Sequence, residues 1–184
     1  RTFATQASLA VERVQATQTL VSATLRDELT GVGNRRHGDT ALERVEPGDG
    51  VAIIDLDFFK QVNDKWGHAA GDRVLARLGT HLLNSVRDKD TIARYGGEEF
   101  LLILHQVRGQ AYEVLNRMST EWRAARVGTT FSAGIAVHRK GDNPNQTLVR
   151  ADRALYAAKQ AGRDRVMVAP AVDPEGAGDI KVHN

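Results

Sequence analysis

The chain has 184 residues, with 25 Lys and Arg against 23 Asp and Glu, and no cysteine. That length suits one domain with a modest extension, and the missing cysteines exclude a disulfide framework, a Cys-ligated metal and a thiol nucleophile. A formal net charge of +2 argues against a dedicated binder of nucleic-acid polymer, and no stretch approaches the roughly 18 apolar residues of a membrane span. The first residue is Arg1 and no signal pattern follows it, so the sequence reads as a piece of a longer protein with no membrane contact of its own.

Residues 1–28 carry no Gly or Pro and read as helix. Ala7, Val11, Val14, Val21 and Leu25 alternate steps of three and four if Gln18 joins the series, about three heptads. Two readings stay open on this pattern: a helix packed on its own domain, or the end of a coiled coil that pairs two chains. After Asn34-Arg35-Arg36 comes a short polar stretch, then Asp49-Gly50 and the apolar run Val51–Leu56, which reads as a buried strand ending in two acids, Asp55 and Asp57. From Asp72, apolar residues at Leu75, Leu78, Leu82 and Val86 have helical spacing. Thr91–Tyr95 and Phe100–Leu104 read as strands joined through Gly96-Gly97, a hairpin whose tight turn calls for positive φ. Gln110–Arg126 reads as helix, Thr129–Val137 as strand, Thr147–Gln160 as a helix capped by Gly162, and Arg165–Val168 as a last strand. Residues 170–184 read as a tail. This order predicts a mixed or antiparallel sheet with helices on one side.

Asp55 closes a strand, and Glu98 and Glu99 follow the glycine turn. If those strands are neighbours, the acids share one end of the sheet and repel one another, so they call for a hard cation such as Mg²⁺ or Mn²⁺. That is a layout for phosphoryl or nucleotidyl transfer. Solvated turn acids are the plainer alternative. Gly96 and Gly97 either make the turn or let a ligand approach the backbone. Lys159 and Arg163, four apart, either complement a helix dipole or clamp a polyphosphate.

Arg94-Tyr95-Gly96-Gly97-Glu98-Glu99-Phe100 resembles the signature of the GGDEF family in its Gly-Gly-Glu-Glu-Phe variant. Asp27-Glu28-Leu29-Thr30-Gly31, continuing to Asn34-Arg35-Arg36, is similar to the family's opening motif. Asp55 through Asp64, Gly67 through Asp72, Phe131 through Ala136, and Asp152 through Tyr156 with Lys159 and Arg163 follow in the family's order. The resemblance spans roughly residues 27–168. It implies an α+β fold, the ferredoxin-like sheet of nucleotide cyclases and polymerase palms, preceded by a linker helix. It divides the chain into a signalling helix at 1–26, a catalytic domain at 27–169 and a tail at 170–184.

The implied activity is a diguanylate cyclase, which condenses two GTP into cyclic di-GMP and two pyrophosphates. The resemblance implies that Asp55 and Glu98 hold Mg²⁺ (or Mn²⁺) by carboxylate and Leu56 by its carbonyl. Glu99 is implied as a second-metal ligand or a proton acceptor. The N–H groups of Phe58 and Phe59, with Lys60, Lys159 and Arg163, would cradle phosphate, while Gly96 and Gly97 line the substrate and Asn63 and Asp72 read guanine. Each domain holds one GTP, so two copies must face each other, which favours the coiled-coil reading of residues 1–28. Arg87 and Asp90 match the family's inhibitory Arg-x-x-Asp motif, where cyclic di-GMP feeds back. The expected location is cytoplasmic, compatible with a membrane anchor elsewhere in a full-length protein. Gly33 departs from the family pattern, and the segments 37–50 and 105–130 look short for it. An idle domain that senses cyclic di-GMP or GTP, and a purely structural dimerisation unit that binds no nucleotide, are the competing readings.

Overall fold

The computed structural model describes residues 25–107 and 109–170. Helix α1 (Arg35–Leu42) leads to strand β1 (Gly50–Leu56), followed by α2 (Phe59–Trp66), α3 (His68–Ser85), β2 (Thr91–Arg94), β3 (Glu99–Leu104), α4 (Ala111–Ala124), β4 (Phe131–Val137), α5 (Pro144–Gln160) and β5 (Val166–Val168). The strands form one sheet in the order β2-β3-β1-β4-β5. β1 lies at its centre, antiparallel to both β3 and β4; β2 is antiparallel to β3, and β5 runs parallel to β4. The mixed sheet expected from the order of elements is present.

Helices cover both faces, which corrects the expectation of one. On one face, Ile54, Leu56, Phe100, Leu102 and Phe131 pack against Leu75, Leu78 and Leu82 of α3 and Leu115, Met118 and Trp122 of α4. On the other, Val51, Ile53, Leu101 and Ile103 meet Leu42 of α1 and Ala151 and Leu155 of α5. The signal was in β1, where all seven residues are buried without alternation, as a strand covered on both faces requires. Trp122 is fully buried, and its indole N–H donates to the carbonyl of Thr129 at 2.9 Å. α5 lies so close to β4 that a Cβ on Gly134 would stand 2.0 Å from the backbone nitrogen of Leu155 and 2.1 Å from the carbonyl oxygen of Ala151.

Local chemistry explains where the element bounds differ from those read in the sequence. The polar stretch after Asn34 is a two-turn helix, α1, with the Asn34 side chain accepting from the His37 N–H. α5 starts at Pro144, three residues early, because Asn143 and Gln146 form a reciprocal capping box ahead of it. α5 ends as expected: Gly162 takes φ 109°, its N–H donates to Lys159, and the Arg163 N–H reaches back to Ala158. The helix expected over residues 1–28 lies outside the described residues except at Leu25–Glu28, which are not helical. There Arg26 bridges Gly33, and Asp27 accepts from the Thr30 N–H and hydroxyl at 2.9 and 2.6 Å. Gly33 has a local reason, since a Cβ on it would meet the His37 ring at 2.4 Å. The expected tail, past Pro170, also lies outside the described residues.

Candidate active site at the end of the central strand

The register of β1 against β3 sets Asp55 directly across from Glu99. One residue on, the Leu56 N–H donates to the carbonyl of Glu98 at 3.3 Å. A strand residue's N–H and C=O lie on the same edge, so the Leu56 carbonyl faces the side on which Glu98 sits. Three carboxylates and one carbonyl are thereby gathered at one end of the sheet.

The electrostatics bear the marks of crowding. Burial pushes the Asp55 carboxyl above the usual range, Lys159 pulls it back, and Asp57 adds to the rise. Glu98 and Glu99 are raised too, first by burial and then by the charge of Asp55. Lys159 from the last turn of α5 meets this charge with its Nζ 2.8 Å from Asp55 Oδ2.

Asp57 does something different from Asp55. It is 1 % exposed and accepts from Thr130 Oγ1 at 2.7 Å, Ser132 Oγ at 2.7 Å and the Asp164 N–H at 3.0 Å. It ties the end of β1 to β4 and to the turn before β5. Sequence spacing could not separate the two acids; the β1–β4 pairing does.

Beyond Asp57 the chain turns through Phe58 in the left-handed region, φ 54°, to begin α2. No side chain caps this helix, so its first N–H groups are left for another acceptor. Phe59 is buried, Lys60 is exposed, and the Phe58 ring is 54 % exposed. The Arg163 guanidinium lies over that ring at 4.5 Å. Arg163 is not on α5, as its spacing from Lys159 suggested. It follows the Gly162 cap, and it and Asp164 take φ of 63° and 49°. Three non-glycine residues in this costly conformation converge on one place, the pattern of a functional site.

On α2, Asn63 faces α3: a Cβ on Gly71 would stand 2.0 Å from Asn63 Oδ1. Asp72 is the next residue and is exposed. The signature loop, Tyr95–Glu98, is longer than a two-residue turn, and neither Gly96 nor Gly97 has positive φ. That corrects the reason given for the glycines. Gly96 leaves room for the Glu99 side chain, whose Oε2 a Cβ would meet at 2.5 Å and displace, while Gly97 is open. Sequence reasoning missed Arg94 here. Its guanidinium donates to the Gly97 carbonyl at 3.2 and 2.7 Å and to Asp27 at 3.3 Å, fixing the loop to the opening motif.

Arg87 and Asp90 lie away from this site and bind each other. Asp90 Oδ2 accepts from Arg87 N–H and Nε at 3.1 and 3.0 Å, and Oδ1 accepts from the His105 N–H at 2.9 Å. The Asp90 side chain is 1 % exposed and that of Arg87 53 %. The cleft beside them, about 250 Å³, is also lined by Arg117 of α4, which the sequence reading did not single out.

All the donors are hard oxygens, which suits Mg²⁺ or Mn²⁺. Among the described residues no group of three His, Asp or Glu side chains is already drawn close enough to hold an ion alone.

A palm-like α+β sheet with acids at the end of its central strand, an uncapped helix start and two cations beside them defines a nucleotide-handling domain. The family model described as diguanylate cyclase, GGDEF domain, matches residues 24–165, and the chain belongs to that family. Diguanylate cyclase DgcP of Pseudomonas aeruginosa is 38 % identical over 160 residues, 79 % of this chain and 24 % of that protein. Diguanylate cyclase A of Treponema denticola is 37 % identical over 125 residues, 63 % of this chain and 34 % of that protein. The chain therefore spans a quarter to a third of these two relatives. The coiled coil and GGDEF domain of DgcB from Caulobacter crescentus, solved in complex with c-di-GMP, superposes with a TM-score of 0.81 at 29 % identity, covering 89 % of this chain and 96 % of that one. No helix among the described residues is long and apolar enough to cross a membrane.

Proposed function

We propose that the chain is the catalytic part of a diguanylate cyclase that condenses two GTP into cyclic di-GMP and two pyrophosphates. The observation that carries this reading is Asp55 set across from Glu99 with the Lys159 ammonium 2.8 Å away, all beside an uncapped helix start. In each half-reaction a 3′-oxygen forms a bond to the α-phosphorus of the other GTP and the bond to the pyrophosphate oxygen breaks. Asp55, Glu98 and the Leu56 carbonyl are the residues that would hold Mg²⁺ (or Mn²⁺). When bound, the ion supplies charge neutralisation on the triphosphate and acidifies the attacking hydroxyl.

The chain's own groups do the rest. The N–H groups of Phe58 and Phe59, with Lys60, Lys159 and Arg163, bind the phosphates, and Arg163 is held ready over Phe58. Asn63 and Asp72 read guanine by its N1–H and N2 amino donors, a pair that adenine lacks, so ATP would leave polar groups unpaired. Glu99, raised by burial and by Asp55, is suited to take the 3′ proton as well as to act as a second-metal ligand. Gly96 and Gly97 let the nucleotide approach the loop that Arg94 fixes. One domain carries one such site, so catalysis is assigned to a homodimer in the cytoplasm. Residues 1–26 are assigned to the linker helix that pairs the chains, 27–169 to the catalytic domain and 170–184 to a tail. Arg87 and Asp90 are assigned to product inhibition. Because Asp90 is already saturated, the exposed Arg87 is the member that turns outward to grip cyclic di-GMP.

Purified protein with Mg²⁺ and GTP, assayed by chromatography, is expected to yield cyclic di-GMP and pyrophosphate, and Glu98→Ala to abolish both. Absence of product from a demonstrably dimeric sample sinks the proposal. Tight cyclic di-GMP binding without turnover would instead establish the idle sensor.

A further inference from the structure

A cleft of about 560 Å³ opens between α2, α3 and the loop joining α4 to β4. None of the residues assigned to GTP or to product lines it. Its floor is aliphatic, from Val62, Val74 and Val127, and none of its lining residues is acidic. Trp66 stands at its wall, 65 % exposed, with the Lys65 ammonium 4.7 Å from the ring centroid. Arg73 and Arg77, four apart on α3, line the same cleft, and among the described residues neither forms an ion pair or a side-chain hydrogen bond.

The loop contributes Val127 and Gly128 to the lining. α4 ends at Ala124, and Arg126, two residues on, takes the left-handed region at φ 47°. Glycine is at ease in that conformation, whereas a longer residue there costs about 1 kcal/mol. An arginine therefore occupies a strained position next to Val127. Two guanidinium groups, those of Arg73 and Arg77, flank an apolar floor beside an exposed indole. Their mutual repulsion falls only when an anion arrives, and the floor gains only when something apolar covers it. An extended nucleic acid would ask for a longer basic stripe with several stacking rings, and here there is one Trp over a Val floor. An acidic polypeptide that carries an apolar side chain satisfies both demands.

We propose that this cleft docks an acidic segment of a partner protein, which seats an apolar side chain on Val62, Val74 and Val127 and meets Arg73 and Arg77 with carboxylates. The site is independent of the cyclase reading, because it uses none of that site's residues. The test is a selection from a random peptide library on the immobilised full chain, repeated with Arg73→Glu/Arg77→Glu. Circular dichroism checks that the variant keeps its fold, as two exposed positions should allow. The native chain should enrich peptides pairing Asp or Glu with a large apolar residue, and the variant should not. A synthetic peptide of the enriched sequence should then change Trp66 fluorescence saturably, since Trp122 is buried, with affinity falling at least about tenfold in the variant. The proposal is overturned if no acidic consensus emerges, or if the variant binds equally well. It is also overturned if only inorganic phosphate, RNA or anionic phosphatidylserine vesicles produce the charge-dependent fluorescence change.

Discussion

Asp55 and Asp57 stand two residues apart at the end of β1, and one is proposed to hold the metal ion while the other is a structural tie. The difference is one of partners. Asp57 has three neutral donors, and Asp55 has one ammonium and three acidic neighbours, Asp57, Glu98 and Glu99. The acids at the site weigh on stability in a definite direction. Glu98 has its folded pKa raised above the ordinary 4.5, so its contribution to stability is full below 4.5 and is lost as pH rises through the raised value. At pH 7.5 without divalent cation, Glu98→Gln should stabilise the fold in urea melts, by no more than a few tenths of a kcal/mol because solvent screens this partly exposed group. The gain should shrink as pH falls toward 4.5; a gain that ignores pH would contradict the assignment. Asp27 and Asp49 run the other way. Burial raises Asp49, but hydrogen bonds from Glu46, Gln106 and His105 outweigh it, so its stabilisation is full above 3.8 and is lost as pH falls from there through the lowered value. Gly71 belongs at this scale as well. Gly71→Ala must push the Asn63 amide aside, and it should raise KM for GTP about tenfold with kcat less affected. An unchanged KM would remove Asn63 from the guanine site.

At the scale of elements, the site depends on how closely α5 lies against β4, because Lys159 reaches Asp55 only from that position. Gly134 permits it. The atoms a new Cβ would strike belong to the backbone of α5, which cannot rotate away as a side chain does. Gly134→Ala should cost about 3 kcal/mol in chemical denaturation and lower kcat in the molecules that stay folded. A loss under about 0.5 kcal/mol would mean that α5 is free to shift. Much of this layer was legible in the sequence. β1, β3, β4, α3 and α5 announced themselves by apolar runs or helical spacing. What stayed hidden had physical reasons. α1 has only two turns, too few for a period to emerge. Gly96-Gly97 read as a positive-φ turn because nothing in the sequence reveals that Glu99 folds back over Gly96. Arg163 read as helical because the Schellman turn at Gly162, though its glycine was noticed, carries the chain off the helix one residue earlier. Arg94 was invisible, since its two partners, Asp27 and Gly97, are brought together only by tertiary structure.

At the scale of the whole molecule, the near-zero net charge resolves into separate territories. Acids gather at the end of β1, arginines line the cleft behind α2, and the Arg87–Asp90 pair closes on itself. A homodimeric cyclase has a kinetic signature at this scale. Initial rate should rise with the square of protein concentration while the dimer is scarce, and become linear once it is saturated. Strictly linear dependence from the lowest concentrations, in a sample shown to be monomeric by light scattering, would place both half-reactions in one chain. Arg87→Ala should relieve late-stage slowing of the progress curve without changing its initial slope.

The central place of β1 has a consequence for biogenesis. Its two ladder partners come late: β3 begins at Glu99 and β4 at Phe131, some 45 and 75 residues after the strand ends. Lys159 and Arg163 come later still. A chain emerging from the ribosome therefore holds this apolar strand with both edges open until β3 follows, and with one edge open until β4 does. The acids at its tip gain their counter-charge only when the last helix docks. A truncated or stalled product therefore exposes an open strand edge to neighbouring chains, because β1 is paired on both sides only once β4 is made.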